Sequence, residues 1–270
     1  RRLVEYLRAN QIEVGVIVDL EGLRNRSLRY LCGLPADGLL FLFADGRSLL
    51  VAWDVPLARS LATAGELIPF ERYARSLFTC IRSVLGESGA RRAELSAALP
   101  YPLVQKLKGS LSALTIECRQ GGIDETLNVM RMIKDSDEIE SLRKACRITN
   151  ELIGVLPDLL AEKPGVSELE LALFLEAEAR RRGAEGMGFE TLAASPRRSF
   201  AIHCFPNFTA EAIIGAGLSI IDFGVCFEGY TSDVTLTLAR PSLAARTKAM
   251  LDAVQEAYDL ARSLCKPGVE

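Results

Sequence analysis

Ser219-Ile220-Ile221-Asp222-Phe223-Gly224-Val225-Cys226-Phe227-Glu228-Gly229-Tyr230-Thr231-Ser232-Asp233-Val234-Thr235 reads as two β-strands joined by a tight turn at Glu228-Gly229. With Phe227 facing Tyr230 across that turn, Asp222 falls opposite Thr235 and Asp233 opposite Gly224. Side chains alternate along a strand with period two, so these four residues share one face. The two carboxylates become diagonal neighbours, roughly 7–8 Å apart at Cα, close enough to share a cation or a pair of cations. Cys226, Thr231 and Thr237 complete the polar face, while Ile221, Phe223, Val225, Val234 and Leu236 make an apolar back. Aspartates near a turn are common, but strand interiors are depleted in Asp. Two of them in register therefore point to a cation site.

His203, upstream of the hairpin, is the only histidine in the chain. One imidazole cannot build a multi-histidine metal centre. Taken alone it reads as a loop or core histidine satisfied by one hydrogen bond. Pairing it with Cys204, as ligands or as a nucleophile and base, is disfavoured because adjacent residues on an extended chain point opposite ways.

The segment leading to the hairpin is helical in pattern. Asp135-x-x-Glu138 resembles a capping box, and Ile139, Leu142, Ala145, Cys146, Thr149, Leu152 and Ile153 form one stripe. Pro157 is expected to kink or divide that helix. Ser167-x-x-Glu170 is a second capping box, opening a helix that stops at Gly183. Lys163-Pro164-Gly165-Val166 recurs as Lys266-Pro267-Gly268-Val269, each copy after a helix, as if a second half begins where the chain stops.

Residues 1–125 alternate helix-like and strand-like pieces. Helices are expected at 2–9, 56–63, 73–85 and 101–107, and strands at 13–18, 67–70, 93–96 and 113–117. Asp45-Gly46 between apolar runs at 38–43 and 47–53 is a strong hairpin signal. This is an α/β pattern of mixed pairing without a phosphate loop, and it reads as a structural or oligomerising domain that shapes a neighbouring site.

The totals agree with a globular chain. Its 270 residues are 49% hydrophobic and 25% charged, enough for two domains and a sizeable core. A net charge of −3 argues against a nucleic-acid partner, and no basic block suggests a membrane surface. No apolar run reaches the ~20 residues of a membrane helix, and the N-terminal residues read as amphipathic and not as a signal peptide. Cysteines at 32, 80, 118, 146, 204, 226 and 265 form no Cys-x-x-Cys pair, which suits reduced thiols and a cytoplasmic location.

The motifs together resemble a known family, the pita-bread metallopeptidases, and within it the Xaa-Pro aminopeptidase, prolidase and creatinase branch. Arg131-Met132-Ile133-Lys134 with Leu142-Arg143-Lys144-Ala145 is similar to the entry into that catalytic domain. Pro164-Gly165-Val166-Ser167-Glu168 is similar to its helix linker, and Gly188-Phe189-Glu190-Thr191-Leu192-Ala193-Ala194-Ser195 to the strand before its histidine loop. Ile221-Asp222-Phe223-Gly224 and Gly229-Tyr230-x-Ser232-Asp233-Val234-Thr235 resemble its first metal-ligand hairpin. Arg29-Tyr30-Leu31-x-Gly33 and the Asp45-Gly46 hairpin are similar to the smaller domain that precedes it. The expected fold class is α/β (α+β): a creatinase-like N-terminal α/β domain at 1–125, then the first half of a pita-bread catalytic domain at 126–270.

What the resemblance implies is a dinuclear metallopeptidase that hydrolyses the bond before a proline in the second position. Asp222 and Asp233 would be metal ligands, with Asp233 bridging two divalent ions: Mn, or alternatively Co or Zn. His203 would be the catalytic histidine that assists near the scissile bond, and Thr235 would support the aspartates. The ions would generate a hydroxide and clamp the tetrahedral intermediate. The substrate would be a proline-containing peptide and the protein a homodimer. Three further ligands, a histidine and two glutamates, belong to a second half that this sequence lacks, so the 270-residue chain alone is expected not to be a competent hydrolase. Leu236 replaces an arginine of the family pattern, Ile202 a proline, and Pro196-Arg197-Arg198 a Gly/Asn-containing loop. The alternatives are a non-catalytic pita-bread module that binds peptide or protein, and a creatinase-like amidinohydrolase.

Overall fold

The Asp45-Gly46 turn does join two antiparallel strands, and they extend into the first of the protein's sheets. The computed structural model describes residues 1–20, 26–240 and 243–269. These fall into two compact units, Arg1–Asp135 and Ser136–Glu270.

The first unit runs α1 (Arg2–Ala9), β1 (Val14–Asp19), α2 (Arg26–Cys32), β2 (Gly38–Phe43), β3 (Ser48–Ala52) and α3 (Val55–Leu61). It continues through β4 (Glu66–Pro69), α4 (Leu77–Glu87), β5 (Arg92–Leu95), α5 (Tyr101–Ser110), β6 (Thr115–Glu117) and α6 (Ile123–Met132). The strands form one sheet in the order β4-β3-β2-β1-β5-β6. Pairing is mixed, antiparallel for β1 with β2 and β2 with β3, and parallel for β3 with β4, β1 with β5 and β5 with β6. β1 is buried along its whole length, as a strand covered on both faces must be. Its alternation divides the unit. Val14, Val16 and Val18 pack with Ile81, Leu85, Val104 and Leu107 on one side. Ile17 packs with Leu3, Leu7, Leu28 and Ala58 on the other.

Two helices of this unit, α2 and α6, were not anticipated from the sequence. α6 lies across the expected domain boundary at 125, and its Ile123 and Leu127 are buried beside Leu3 and Leu7. Glu94, on β5, is a fully buried carboxylate that accepts from Tyr6 Oη at 2.8 Å and Ile123 N at 3.1 Å. It ties α1 and α6 to the sheet by hydrogen bonds, as a buried charge requires.

The second unit comprises α7 (Ser136–Glu162), α8 (Glu168–Arg181), β7 (Gly186–Met187), β8 (Leu192–Ala194) and β9 (Leu218–Phe223). Then follow β10 (Val225–Phe227), β11 (Tyr230–Thr231), β12 (Val234–Ala239) and α9 (Ala245–Leu264). Its strands make two three-stranded sheets, β11-β10-β7 and β12-β9-β8. Leu152, Leu156, Leu171 and Leu175 of the helices pack on Ile221, Phe223 and Val225 of the strands.

α7 differs from expectation in two respects. It continues undivided through Pro157, because Leu156 and Leu159 on either side of the proline are buried in this core. Its inward stripe is Ser141, Ala145, Ile148, Thr149, Leu152, Leu156 and Leu159. Ile139 and Cys146, expected on that stripe, are exposed. Ser141, not expected on the stripe, turns inward to donate to Glu228 of the hairpin, while Thr149 is inward as expected and meets Ser232. The capping box that opens α8 is present: Ser167 Oγ accepts from Glu170 N at 3.1 Å, and Glu170 Oε2 accepts from Ser167 N at 2.9 Å. No residue of α9 is buried.

Candidate active site

The hairpin forms in the expected register. Phe227 pairs with Tyr230, Cys226 with Thr231 and Asp222 with Thr235. Glu228 and Gly229 have φ of 50° and 82°, the two positive values that a type I′ turn requires to match the twist of its strands. Ile221, Phe223 and Val225 form the buried back.

The hairpin is not one flat ribbon. Its base, β9 with β12, lies in one sheet, and its tip, β10 with β11, lies in the other. The break is at Gly224, whose carbonyl accepts from Gly188 N at 2.7 Å. A Cβ on Gly224 would overlap the Ser232 carbonyl oxygen and lie 2.8 Å from Phe189 Cε1, so only glycine fits this crossing. Ser232 fixes the far side. Its buried Oγ accepts from Val225 N at 2.9 Å and shares a hydrogen bond of 2.6 Å with Thr149 Oγ1 on α7. Tyr230 Oη donates to Glu138 Oε1 at 2.9 Å, and Ser141 Oγ donates to Glu228 Oε2 at 2.9 Å. Asp233 thus follows a residue locked to a long helix.

Asp222 and Asp233 face a cleft of about 460 Å³ that His203 also lines. Phe189, Glu190, Leu192 and Asn207 complete its wall. Three residues singled out from the sequence are therefore brought together. The fourth, Thr235, lies behind Asp222 and donates to its Oδ1 at 3.1 Å. The sequence reading missed Glu190 and Asn207 as site residues. Asn207 Nδ2 donates to Glu190 Oε2 at 3.0 Å, which places a third carboxylate on the wall.

Glu168 was also missed. It opens α8 and is fully buried. Burial alone would raise its carboxyl, but hydrogen bonds from Ser195 and Thr209 outweigh that and hold it below the ordinary carboxylate range. Nothing local in the sequence distinguishes it from the acidic residues common in a first helical turn.

The cleft offers hard oxygen donors from Asp222 and Asp233, suited to Mn-like divalent ions. A bound divalent ion takes about four to six donors. Among the described residues, no group of three or more His, Cys, Asp or Glu side chains is placed to hold one. The two aspartates are therefore candidate donors only, and the described residues gather no full ligand set around them.

Residues 140–270 match the model of metallopeptidase family M24. The Xaa-Pro dipeptidase of Pyrococcus horikoshii is 25% identical over 274 residues, spanning 100% of this chain and 72% of that protein. The uncharacterized peptidase YqhT of Bacillus subtilis is 32% identical over 161 residues, covering 59% of this chain and 44% of its own length. Among solved structures, the prolidase from Pyrococcus horikoshii matches with a TM-score of 0.82 at 24% identity, over 99% of this chain and 72% of that one. At that identity the structural likeness speaks for the fold, and it agrees with the expected α/β domain followed by pita-bread strands.

Proposed function

Because this chain belongs to the pita-bread metallopeptidase family, we propose that it is the Asp222/Asp233-bearing part of an Xaa-Pro peptidase. Membership supports a metal-dependent peptide hydrolase. The finer assignment, cleavage before a proline in the second position, draws on the printed names of relatives such as the Xaa-Pro dipeptidases of Pyrococcus horikoshii and Pyrococcus furiosus. The observation that carries the reading is one cleft lined by Asp222, Asp233 and His203.

Each residue has a distinct part. Asp222 and Asp233 would hold divalent metal, with Mn the first expectation from their oxygen donors. When bound, metal supplies Lewis acidity and activates water in such sites. Thr235 orients Asp222 through the hydrogen bond to Oδ1, so that the carboxylate needs no reorganisation on binding. His203 is exposed, and a peptide in the cleft would take a hydrogen bond from its ring at the scissile carbonyl or a proton at the departing proline nitrogen. Phe189 and Leu192 give the peptide apolar wall to lie against.

The test is hydrolysis of an Xaa-Pro dipeptide and a longer Xaa-Pro peptide by the longest natural form carrying this sequence, with Mn²⁺ supplied. Asp233→Asn should abolish turnover, and His203→Ala should lower kcat by about 10²–10⁴. Equal turnover of peptides with and without proline would overturn the specificity. Absence of turnover with retained peptide binding would favour the second reading, a non-catalytic module. That reading draws on Leu236, which is half-buried against the core where the family pattern carries arginine. The homodimer expected for the branch is tested by sedimentation of the same form.

A further inference from the structure

His203 is carried at the middle of a long connection between β8 and β9 whose tip has little core of its own. Phe200, Ile202 and Phe205 are 88%, 85% and 93% exposed. Cys204 is buried against Leu192 and Ala194, a small anchorage for so long a segment. The stems of the segment, in contrast, converge on one buried carboxylate. Glu168 Oε1 accepts from Ser195 N at 2.6 Å on the outgoing stem. Glu168 Oε2 accepts from Thr209 N and Thr209 Oγ1, both at 2.7 Å, on the returning stem. The Arg198 guanidinium pairs with Oε2 through Nη1, and its Nη2 donates to the carbonyl of Pro206. The backbone amides of Glu168 and Leu169 donate to the carbonyls of Glu211 and Thr209 at 2.9 Å.

An ionised carboxylate offers about four acceptor sites, and here four donors reach it, Ser195 N at Oε1 and Thr209 N, Thr209 Oγ1 and Arg198 Nη1 at Oε2. Arg198 balances the charge, and the N-terminus of α8 favours a negative group at its first residue. A neutral amide of the same shape would set its NH₂ against N–H donors on at least one stem, leaving them unsatisfied where they are buried.

We propose that Glu168, together with Arg198, is a positioning residue for the cleft: it clamps both stems of the 195–209 segment and thereby presents His203 to Asp222 and Asp233. Neither residue lines the cleft. Their effect on chemistry is exerted through where His203 and Asn207 sit. The part assigned to His203 rests on the function proposed above, whereas the clamp is testable without it.

Since His203 is the only histidine, its ring C–H signals in an NMR spectrum of this chain are unambiguous. The comparison is between wild type, Glu168→Gln, Arg198→Gln, Arg198→Lys and a control, Glu176→Gln, which breaks only an exposed ion pair on the same helix. In wild type and control, the His203 signals should differ from those of a free imidazole, and the Ser195 and Thr209 amides should be protected from hydrogen exchange. Glu168→Gln and Arg198→Gln should bring the His203 signals to free-imidazole positions and lower that protection more than tenfold, with unchanged far-UV circular dichroism. Arg198→Lys, which keeps the charge, should restore part of the wild-type signal. Unmoved His203 signals in a folded Glu168→Gln overturn the proposal. If that variant fails to fold, unmoved signals in Arg198→Gln overturn it. A His203 ring already averaged in wild type does so too.

Hydrolysis assays of the longest natural form separate this inference from the function. An affected His203 without wild-type turnover sinks the function and leaves the clamp. Turnover with kcat and KM unaltered by Glu168→Gln sinks the clamp and leaves the function. The expected split is a kcat lowered about 10–100-fold with KM changed less than about threefold, as misplacement of a reacting group predicts.

Discussion

Glu168 shows how one side chain far from a cleft in sequence terms becomes part of its architecture. Its carboxyl lies below its ordinary value in the folded protein, so it binds its proton less readily there than in the unfolded chain. The stabilisation is therefore complete above the unfolded value near 4.5 and is lost as pH falls through the lowered native value. Removing one partner of a buried ion pair costs about 3–5 kcal/mol. Urea midpoints should accordingly place Glu168→Gln well below wild type at pH 7, with the gap closing below about pH 4.5. A gap that stays constant down to pH 2 would contradict the linkage. None of this was legible beforehand. Glu168 reads locally as the first residue after a capping Ser167, and its partners Ser195, Arg198 and Thr209 are distant in sequence and individually ordinary. The Asp222–Thr235 contact was legible, because period-two alternation and a Glu-Gly turn fix which residues face each other.

At the scale of elements, the hairpin and α7 define each other. The register followed from the turn, but the break at Gly224 did not. A glycine in a strand signals a bend or a close approach without saying which backbone approaches. Gly224→Ala should destabilise by about 1–3 kcal/mol through overpacking against the Ser232 carbonyl. Gly154→Ala, at an exposed helical position with open space around it, should stabilise by about 0.5–1 kcal/mol. Chemical denaturation of the two variants measures both, and equal effects would contradict the assigned geometry. The stripe on α7 was misphased for a physical reason. Hydrophobic periodicity counts Ile139 and Cys146 as inward, whereas Ser141 turns inward because it meets the Glu228 carboxylate of the hairpin; Thr149, expected on the stripe, is there and meets the Ser232 hydroxyl. Polar contacts between elements are invisible to a pattern that scores only apolar residues.

For the whole molecule, composition and motif order were enough to anticipate an α/β unit followed by pita-bread strands, and the match to the Pyrococcus horikoshii prolidase covers nearly the full chain. The helices α2 and α6 escaped because short amphipathic stretches carry weak signals, and α6 also lies across the presumed boundary. Both units have their own cores, and the cleft lies wholly within the second. The central claim is that Asp222 and Asp233 are the metal-facing carboxylates of a peptidase cleft whose ligand set the described residues only begin. Its most direct test is the divalent-metal content per chain of the longest natural form after mild purification, for wild type, Asp222→Asn and Asp233→Asn. The account predicts about two ions per chain in wild type and the loss of at least one in each variant. Fewer than one ion per wild-type chain, or aspartate variants that keep the full content, would contradict it.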